Sequence, residues 1–187
     1  ESRLLYSNTT EDFFQVPSLY YDDQLKRLWI GTGSAGLFYY DIIRKSLSDI
    51  PIRNFPKQPI LAIRKDAKNT LLIGIDGQGI WNISEKGDTI LHIYKEDLNN
   101  PFSLRGDGVY DILCDGSKNW IATFTGKLSF FENNNSQITP VTYQINNPNS
   151  LGNNYVNQII EDHEGHIWFA TNNGVSRWDA TSNKWKH

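Results

Sequence analysis

The chain has 187 residues, of which 39% are hydrophobic and 13% aromatic, which is enough apolar material for one domain with a sizeable core. Its formal net charge is −3 and its lysines and arginines are scattered, so it lacks the basic surface that nucleic-acid binding requires. Cys114 is the only cysteine, which excludes an intrachain disulfide and a zinc site built from several thiolates.

A short apolar phrase recurs four times along the chain, at residues 28–32, 71–75, 119–123 and 167–171. The second position of each copy is Trp29, Leu72, Trp120 or Trp168, at intervals of 43, 48 and 48 residues. Repetition at this period is typical of a β-propeller, in which each copy supplies one strand of a radial sheet. Because the position recurs in every copy, we interpret these four side chains as the structural core of the blades.

Each copy is the second strand of a unit whose other strands are predicted from their turns. An aspartate opens the first turn of each unit, and a glycine closes the second turn before a third strand. These residues are Asp23, Asp66, Asp115 and Asp162 for the first turn, and Gly36, Gly79, Gly126 and Gly174 for the second. A fourth, outer strand is predicted at 48–54, 89–94 and 138–143, whereas the last unit shows no clear outer strand after Asp179.

Helical periodicity is nearly absent, so we predict an all-β chain that forms a β-propeller with four four-stranded blade repeats. The predicted repeats lie at about 16–54, 58–95, 107–143 and 154–187, within a single domain of residues 1–187. Residues 1–15 are predicted to hold an outer strand of a preceding or shared blade, at 3–7. The units themselves allow two arrangements: a small propeller closed by a shared blade, or an arc of a larger one.

The last unit contains NPNSLGNNYV at 147–156, IIED at 159–162 and GHIWFAT at 165–171, and earlier matches are NPFSL at 100–104, DILCD at 111–115 and LWIGT at 28–32. These motifs resemble the two-component regulator propeller repeat, and the resemblance extends from about Val16 to Asp179. Other units depart from the pattern: Leu72 replaces the tryptophan of the second, and the third has FTGK at 124–127 where a Gly-Gly-Leu type turn is usual.

The resemblance implies a partial arc of a larger, seven-bladed propeller in the periplasmic sensor region of a hybrid two-component histidine kinase. It also implies oligosaccharide signals, a homodimeric receptor, and contacts with the remaining blades of the same sensor. The kinase domain would lie elsewhere in the full-length protein, which would signal across the membrane to control transcription.

Few residues suggest catalysis or metal binding. His163 and His166 are three residues apart, but they lie in a polar turn that has no histidine in the other units. The turn from Asp76 to Gly79 is rich in oxygen ligands but lacks the remaining acidic positions of a calcium loop. No Ser, His and Asp set and no pair of acids stands out. We therefore predict no catalytic residue, no metal and no cofactor in this segment.

A ligand site is predicted on the face where the second turns converge with the loops that lead into each blade, because these segments differ between units. Their amides, carboxylates, arginine and aromatic rings suit sugar hydroxyls. The candidates are Ser34, Asp76, Gln78, Phe124, Thr125, Asn172 and Asn173 from the turns, with Arg105, Asp107, Asn153, Asn154 and Tyr155 from the loops. Two alternatives remain: a propeller lyase or glycosidase acting on polysaccharide, and a protein-interaction scaffold.

Overall fold

The computed structural model describes residues 15–187, and the outer strand predicted at 3–7 lies outside this part of the chain. The described residues form four sheets of four strands and contain no helix, so no helix among them could cross a membrane.

Blade 1 consists of β1 (Ser18–Asp22), β2 (Arg27–Gly31), β3 (Leu37–Asp41) and β4 (Ser46–Asp49). Blade 2 consists of β5 (Ile60–Lys65), β6 (Leu71–Ile75), β7 (Gly79–Ile83) and β8 (Ile90–Tyr94). Blade 3 consists of β9 (Val109–Cys114), β10 (Lys118–Thr123), β11 (Lys127–Glu132) and β12 (Asn135–Val141), and blade 4 of β13 (Val156–Glu161), β14 (Ile167–Thr171), β15 (Gly174–Asp179) and β16 (Lys184–Lys186).

Every sheet is an antiparallel meander whose strands follow one another in sequence order. The first strand of each blade is innermost, since β1 packs against β5, β5 against β9, and β9 against β13. This is the β-propeller architecture, so the predicted fold class is confirmed. Within residues 15–187, no contact of comparable extent joins β13 back to β1, so the four blades form an open arc.

Apolar layers between successive blades hold the arc together. Trp29, Leu72 and Trp120 are at most 1% exposed, and each lies in the layer between its own blade and the next. In the last of these layers the Trp120 ring meets the Phe169 ring edge-on, with centroids 5.3 Å apart. Trp168 holds the same position in blade 4 but is only half-buried, because no described blade follows it. Burial at this repeat position therefore depends on the next blade.

In each blade, an aspartate carboxylate caps the turn between the first and second strands. The carboxylates of Asp66, Asp115 and Asp162 accept backbone N–H bonds from the turns that follow them. In blade 1 Asp23 is the first residue of the turn, as predicted, but Asp22 at the end of β1 accepts the N–H bonds of the turn, while Asp23 is exposed and pairs with Lys26. The capping carboxylate of blade 1 therefore belongs to the last residue of β1, whereas in the other blades it belongs to the first residue after the strand.

The outer strands differ from their predicted bounds. Blade 4 does have an outer strand, β16, whose Trp185 packs its ring against Trp178 at a centroid distance of 5.1 Å. A strand of three residues is too short to show an alternating pattern, which explains why the sequence did not reveal it. β4 spans Ser46–Asp49 and β12 spans Asn135–Val141, so each strand starts earlier than its predicted segment, which was 48–54 for β4 and 138–143 for β12.

Candidate functional site

The turn between the second and third strands, here called the top turn, is joined in each blade to the lead-in loop that precedes the first strand. A backbone N–H of the top turn donates to a lead-in carbonyl at 2.8–3.0 Å in all four blades. The pairs are Gly33 to Gln15, Asp76 to Pro59, Phe124 to Gly108, and Asn172 to Tyr155. This repeated bond places the top turns and lead-in loops on one face, as the repeat pattern indicates.

A cleft of about 420 Å³ opens on this face where blades 3 and 4 meet. The top turn of blade 3 supplies Thr125 and Gly126, and the lead-in loops of blades 3 and 4 supply Arg105, Asn154 and Tyr155. The remaining walls come from the beginning of β11, at Lys127 and Leu128, and from residues 140–142 at the end of β12. The volume lies within the range of small-ligand pockets.

One wall of the cleft is the aromatic ring of Tyr155, which lies against Gly126. A β-carbon at Gly126 would collide with this ring, and Gly126 also has a φ of +70°. Both conditions favour glycine, because it alone lacks the β-carbon and adopts positive φ without strain. Tyr155 is nonetheless 52% exposed. The ring therefore has a fixed position and still presents an open surface to the cleft.

Polar side chains of the lead-in loop fix the backbone around Tyr155. The Asn153 Oδ1 atom accepts the N–H of Tyr155 at 2.8 Å, and the Asn154 Oδ1 atom accepts the N–H of Tyr143 at 2.7 Å. Upstream in the same loop, Leu151 is fully buried between blades 3 and 4. Asn153 and Asn154 therefore act as positioning residues for the Tyr155 wall.

Arg105 reaches the same cleft from the lead-in loop of blade 3. Its backbone carbonyl accepts the hydroxyl of Thr125 at 2.8 Å, which ties the loop to the top turn. Its guanidinium Nη2 donates to the carbonyl of Pro101 at 2.6 Å, which holds the side chain in place and leaves its other N–H groups available. The cleft thus combines a positioned cation with a positioned aromatic ring.

Comparison of the two NPxSL copies within the chain shows that these side chains are special to the cleft. The copies at 100–109 and 147–156 are offset by 47 residues, so Arg105 corresponds to Gly152, and Gly108 corresponds to Tyr155. Each copy therefore has a glycine where the other contributes a cleft side chain. In a repeat protein, positions that differ between copies are those free to carry function.

The structure brings together only part of the predicted site. Arg105, Tyr155 and the neighbouring Thr125 and Asn154 line the cleft, and Asn153 supports it. The other candidates lie on the same face but outside the cleft. Ser34 is exposed in the top turn of blade 1, Asp76 and Gln78 lie in that of blade 2, and Asn172 and Asn173 lie in that of blade 4.

Phe124 contacts a residue that the sequence pattern did not single out. Its ring stacks on Tyr110 with centroids 3.7 Å apart. Tyr110 is an extra residue in β9, because Val109 pairs with Thr123 while Asp111 already pairs with Ala122. The same irregularity in β13 frees Asn157, whose amide donates to Asn172 at 2.9 Å. Such bulges re-aim one side chain, and alternation of residue types does not reveal them.

Lys127 also occupies an unexpected place. Gly126 closes the top turn of blade 3 just before β11, as predicted, but it is not the structural counterpart of Gly79, because Lys127 pairs with Thr123 as Gly79 pairs with Ile75. Gly126 is the last residue of the turn, and the first position of β11 is filled by a lysine. The residues that correspond to Lys127 in the other blades are all glycines. Gly79 and Gly174 begin the third strands of blades 2 and 4, and Gly36 directly precedes the third strand of blade 1.

The two histidines of blade 4 do not converge on the cleft. His163 and His166 lie in the turn before β14, at the opposite end of that strand from the top turn. His163 is exposed, whereas the His166 ring lies 3.2 Å from a carboxylate oxygen of Asp162. Among residues 15–187, no group of three or more histidine, cysteine or acidic side chains is arranged to hold a metal ion.

The four blades define a segment of a β-propeller, and comparison with known proteins supports the resemblance found in the sequence. Residues 150–173 match the family described as two component regulator propeller, which confirms the resemblance for the repeat of blade 4. No curated protein matches the chain.

Solved structures share the fold. The extracellular domain described as that of hybrid two-component system BT3049 from B. thetaiotaomicron is 19% identical, with a TM-score of 0.71 over 96% of this chain and 24% of that one. The corresponding domain of BT4673 from the same organism is 18% identical, with a TM-score of 0.54 over 98% of this chain and 30% of that one. The computationally designed Ika4 protein is 11% identical, with a TM-score of 0.65 over 95% of this chain and 98% of that one. The chain thus spans less than a third of the length of the two natural domains.

Proposed function

We propose that this chain is a ligand-sensing propeller segment of an extracytoplasmic, periplasmic two-component sensor, and that the cleft between blades 3 and 4 binds an oligosaccharide. The family repeat at 150–173 and the fold shared with extracellular domains of hybrid two-component systems support the sensor assignment. The observation that carries the binding site is the half-exposed Tyr155 ring, held against Gly126 beside Arg105.

The chemistry of the cleft suits a sugar. One face of a pyranose ring is lined by C–H groups that pack on an aromatic ring, and its edge carries hydroxyls that need donors and acceptors. Tyr155 offers the ring surface, while Thr125, Asn154 and the guanidinium of Arg105 offer polar groups around it. Residues 140–142 of β12 add a further wall on which a second sugar unit would rest.

The position of the cleft suggests how binding is transmitted. Its walls come from two blades, so a bound ligand contacts both and favours the arrangement of blades that it fits best. A ligand shifts such an equilibrium only by its difference in affinity for the two arrangements. We propose that this shift is passed through the remaining blades of a homodimeric sensor to a histidine kinase domain in the same protein.

The experiment is calorimetric titration of the chain with a panel of defined neutral and acidic oligosaccharides, with circular dichroism to establish folding. We expect at least one oligosaccharide to bind, and Tyr155→Ala to weaken it roughly three- to tenfold through loss of the ring surface. The control is Tyr21→Ala, since Tyr21 is also about half exposed but lies on β1 of blade 1. Failure of the whole panel to bind the folded protein would overturn the proposal.

A further inference from the structure

We propose that the cleft between blades 3 and 4 is selective for an anionic oligosaccharide, whose carboxylate or sulfate group is held by Arg105 and Lys127 while a sugar ring packs on Tyr155. This inference rests on the proposed function of the same cleft and names the class of sugar. The side chains lining the cleft include these two cations and no aspartate or glutamate. The chain as a whole carries a net charge of −3, so the cleft departs from the average charge of the protein.

The charges of the two cations are not paired with a carboxylate in the described structure, although one guanidinium N–H of Arg105 donates to the Pro101 carbonyl. Within residues 15–187, neither Arg105 nor Lys127 forms an ion pair with a carboxylate. The partly buried cations of the blade interfaces behave differently, since Arg64 pairs with Asp111 at 3.2 Å and Lys65 pairs with Asp22 at 3.1 Å. Charge at the interfaces is therefore compensated within the protein, whereas charge at the cleft is left for a ligand.

The nearest acid along the chain is also occupied. Asp107 lies two residues after Arg105, but its Oδ1 atom accepts the backbone N–H of Glu96 at 2.7 Å at the junction of blades 2 and 3. It is not among the residues that line the cleft. Asp107 keeps its charge, but its carboxylate is held at the junction of blades 2 and 3 and, in the described part of the chain, forms no ion pair with Arg105.

Both cations stand where other copies of the repeat have glycine. Arg105 corresponds to Gly152, and Lys127 corresponds to Gly79 and Gly174. The framework of a blade therefore requires neither long side chain. Two cations added at glycine positions around one cleft indicate selection for charge at that place. Arginine supplies a planar fork that matches carboxylate and sulfate oxygens, and lysine supplies a mobile point charge.

The test compares two ligands that differ only in charge. We would titrate the chain with a tetramer of α-1,4-galacturonic acid and with its fully methyl-esterified, neutral form, and with a chondroitin sulfate tetrasaccharide to present sulfate. We expect an anionic probe to bind about tenfold or more tightly than the neutral ester, with an affinity that falls as salt is raised. Tighter binding of the chondroitin sulfate tetrasaccharide than of its desulfated form, which keeps the carboxylates, would identify sulfate as the anionic group recognised.

Variants assign the effect to the cleft. Arg105→Gln and Lys127→Gln should each reduce affinity for the anionic probe several-fold more than affinity for the neutral ester. Lys68→Gln is the control, because Lys68 is exposed in the turn between β5 and β6, at the other end of its blade. Equal binding of acid and ester, or insensitivity to both variants, would overturn the inference and leave an oligosaccharide site in place. Absence of binding by any sugar, charged or neutral, would instead overturn the proposed function itself.

Discussion

The ring of Tyr155 occupies the space that a β-carbon of Gly126 would need. These two residues belong to different blades, since Gly126 lies in the top turn of blade 3 and Tyr155 ends the lead-in loop of blade 4. Their contact joins the two blades on the face that carries the candidate cleft. The wall of the cleft therefore depends on a glycine that does not itself offer any group to a ligand.

Gly126→Ala should remove this contact. The substitution places a β-carbon at positive φ and against the Tyr155 ring, so we expect a loss of about 1–3 kcal/mol in the free energy of unfolding and weaker ligand binding. Gly174→Ala is the matched control, since Gly174 has a φ of +84° but nothing within 4 Å of its β-carbon position. It should lose only about 1 kcal/mol. Urea unfolding of both variants measures the difference, and equal losses would contradict the proposed packing.

The same repeat position should differ in energetic importance between blades. Trp120→Ala leaves a cavity between blades 3 and 4 and should lower the free energy of unfolding by about 3–5 kcal/mol. Trp168→Ala should cost less than half as much in this chain, because its side chain is only half-buried. Each variant also loses one indole hydrogen bond to an aspartate, so the pair is matched in that respect. Chemical denaturation would refute this expectation if the two losses were the same.

The sequence predicts the propeller well because its repeat is dictated by packing. The phrase containing Trp29 recurs since every blade must fill the same layer, and a period near 48 residues is visible without coordinates. Features of one or two residues are less accessible. The adjacent Asp22 and Asp23 do not show by residue type which of them accepts the N–H bonds of the turn, and the three-residue strand around Trp185 has too few positions to show alternation.

The candidate site was harder to predict than the fold because it depends on contacts between repeats. Arg105 and Tyr155 are 50 residues apart in the chain, and their shared cleft follows from the docking of blade 4 on blade 3. Tyr110 was missed because a bulge displaces it from the regular strand pattern. Lys127 was missed because Gly126 was aligned with Gly79, whereas strand pairing shows that Lys127 itself corresponds to Gly79. Alignment of the repeats by strand pairing rather than by residue type corrects this.

Asp111 connects three blades through one carboxylate. Its Oδ2 atom accepts the backbone N–H of Ile159 in blade 4 at 2.9 Å, and its Oδ1 atom lies 3.2 Å from the Arg64 guanidinium of blade 2. Burial raises the pKa of Asp111, although these hydrogen bonds and the nearby Arg64 charge act in the opposite direction. The carboxylate is thus held in a position where loss of its partners would be costly.

Asp111→Ala should lower the free energy of unfolding by about 2–3 kcal/mol, because it leaves the Ile159 N–H and the Arg64 side chain without their acceptor. Asp111→Asn should lose less, since the amide oxygen still accepts the Ile159 N–H. Asp49→Ala, at the exposed end of the outer strand β4, serves as the control for removing an aspartate. Guanidinium unfolding monitored by tryptophan fluorescence tests the order of the three variants, and an Asp111→Ala variant as stable as the control would rule out the inter-blade role.

The turn of Asp162 should make stability depend on acid pH. The Trp168 indole donates to its Oδ2 atom at 2.7 Å, and the N–H of His166 donates to its Oδ1 atom at 2.9 Å. The Trp168 hydrogen bond and then the backbone bonds hold the pKa of Asp162 well below its usual value, against a smaller opposing effect of burial. The folded state therefore binds fewer protons at this site than the unfolded state, whose pKa is about 3.9.

The resulting contribution to stability is fully present above that unfolded pKa and is lost as pH falls below about 4 toward the lower folded pKa. Asp162→Asn should flatten the acid limb of the stability curve, measured as the free energy of unfolding between pH 6 and pH 2.5. Trp168→Phe removes the indole donor and keeps an aromatic ring, so it should raise the pKa of Asp162, which carbon-detected NMR titration of the carboxyl group would follow. If Trp168→Phe leaves that titration unchanged, the indole hydrogen bond does not control the charge of Asp162, and the acid dependence must come from the other carboxylates of the turns.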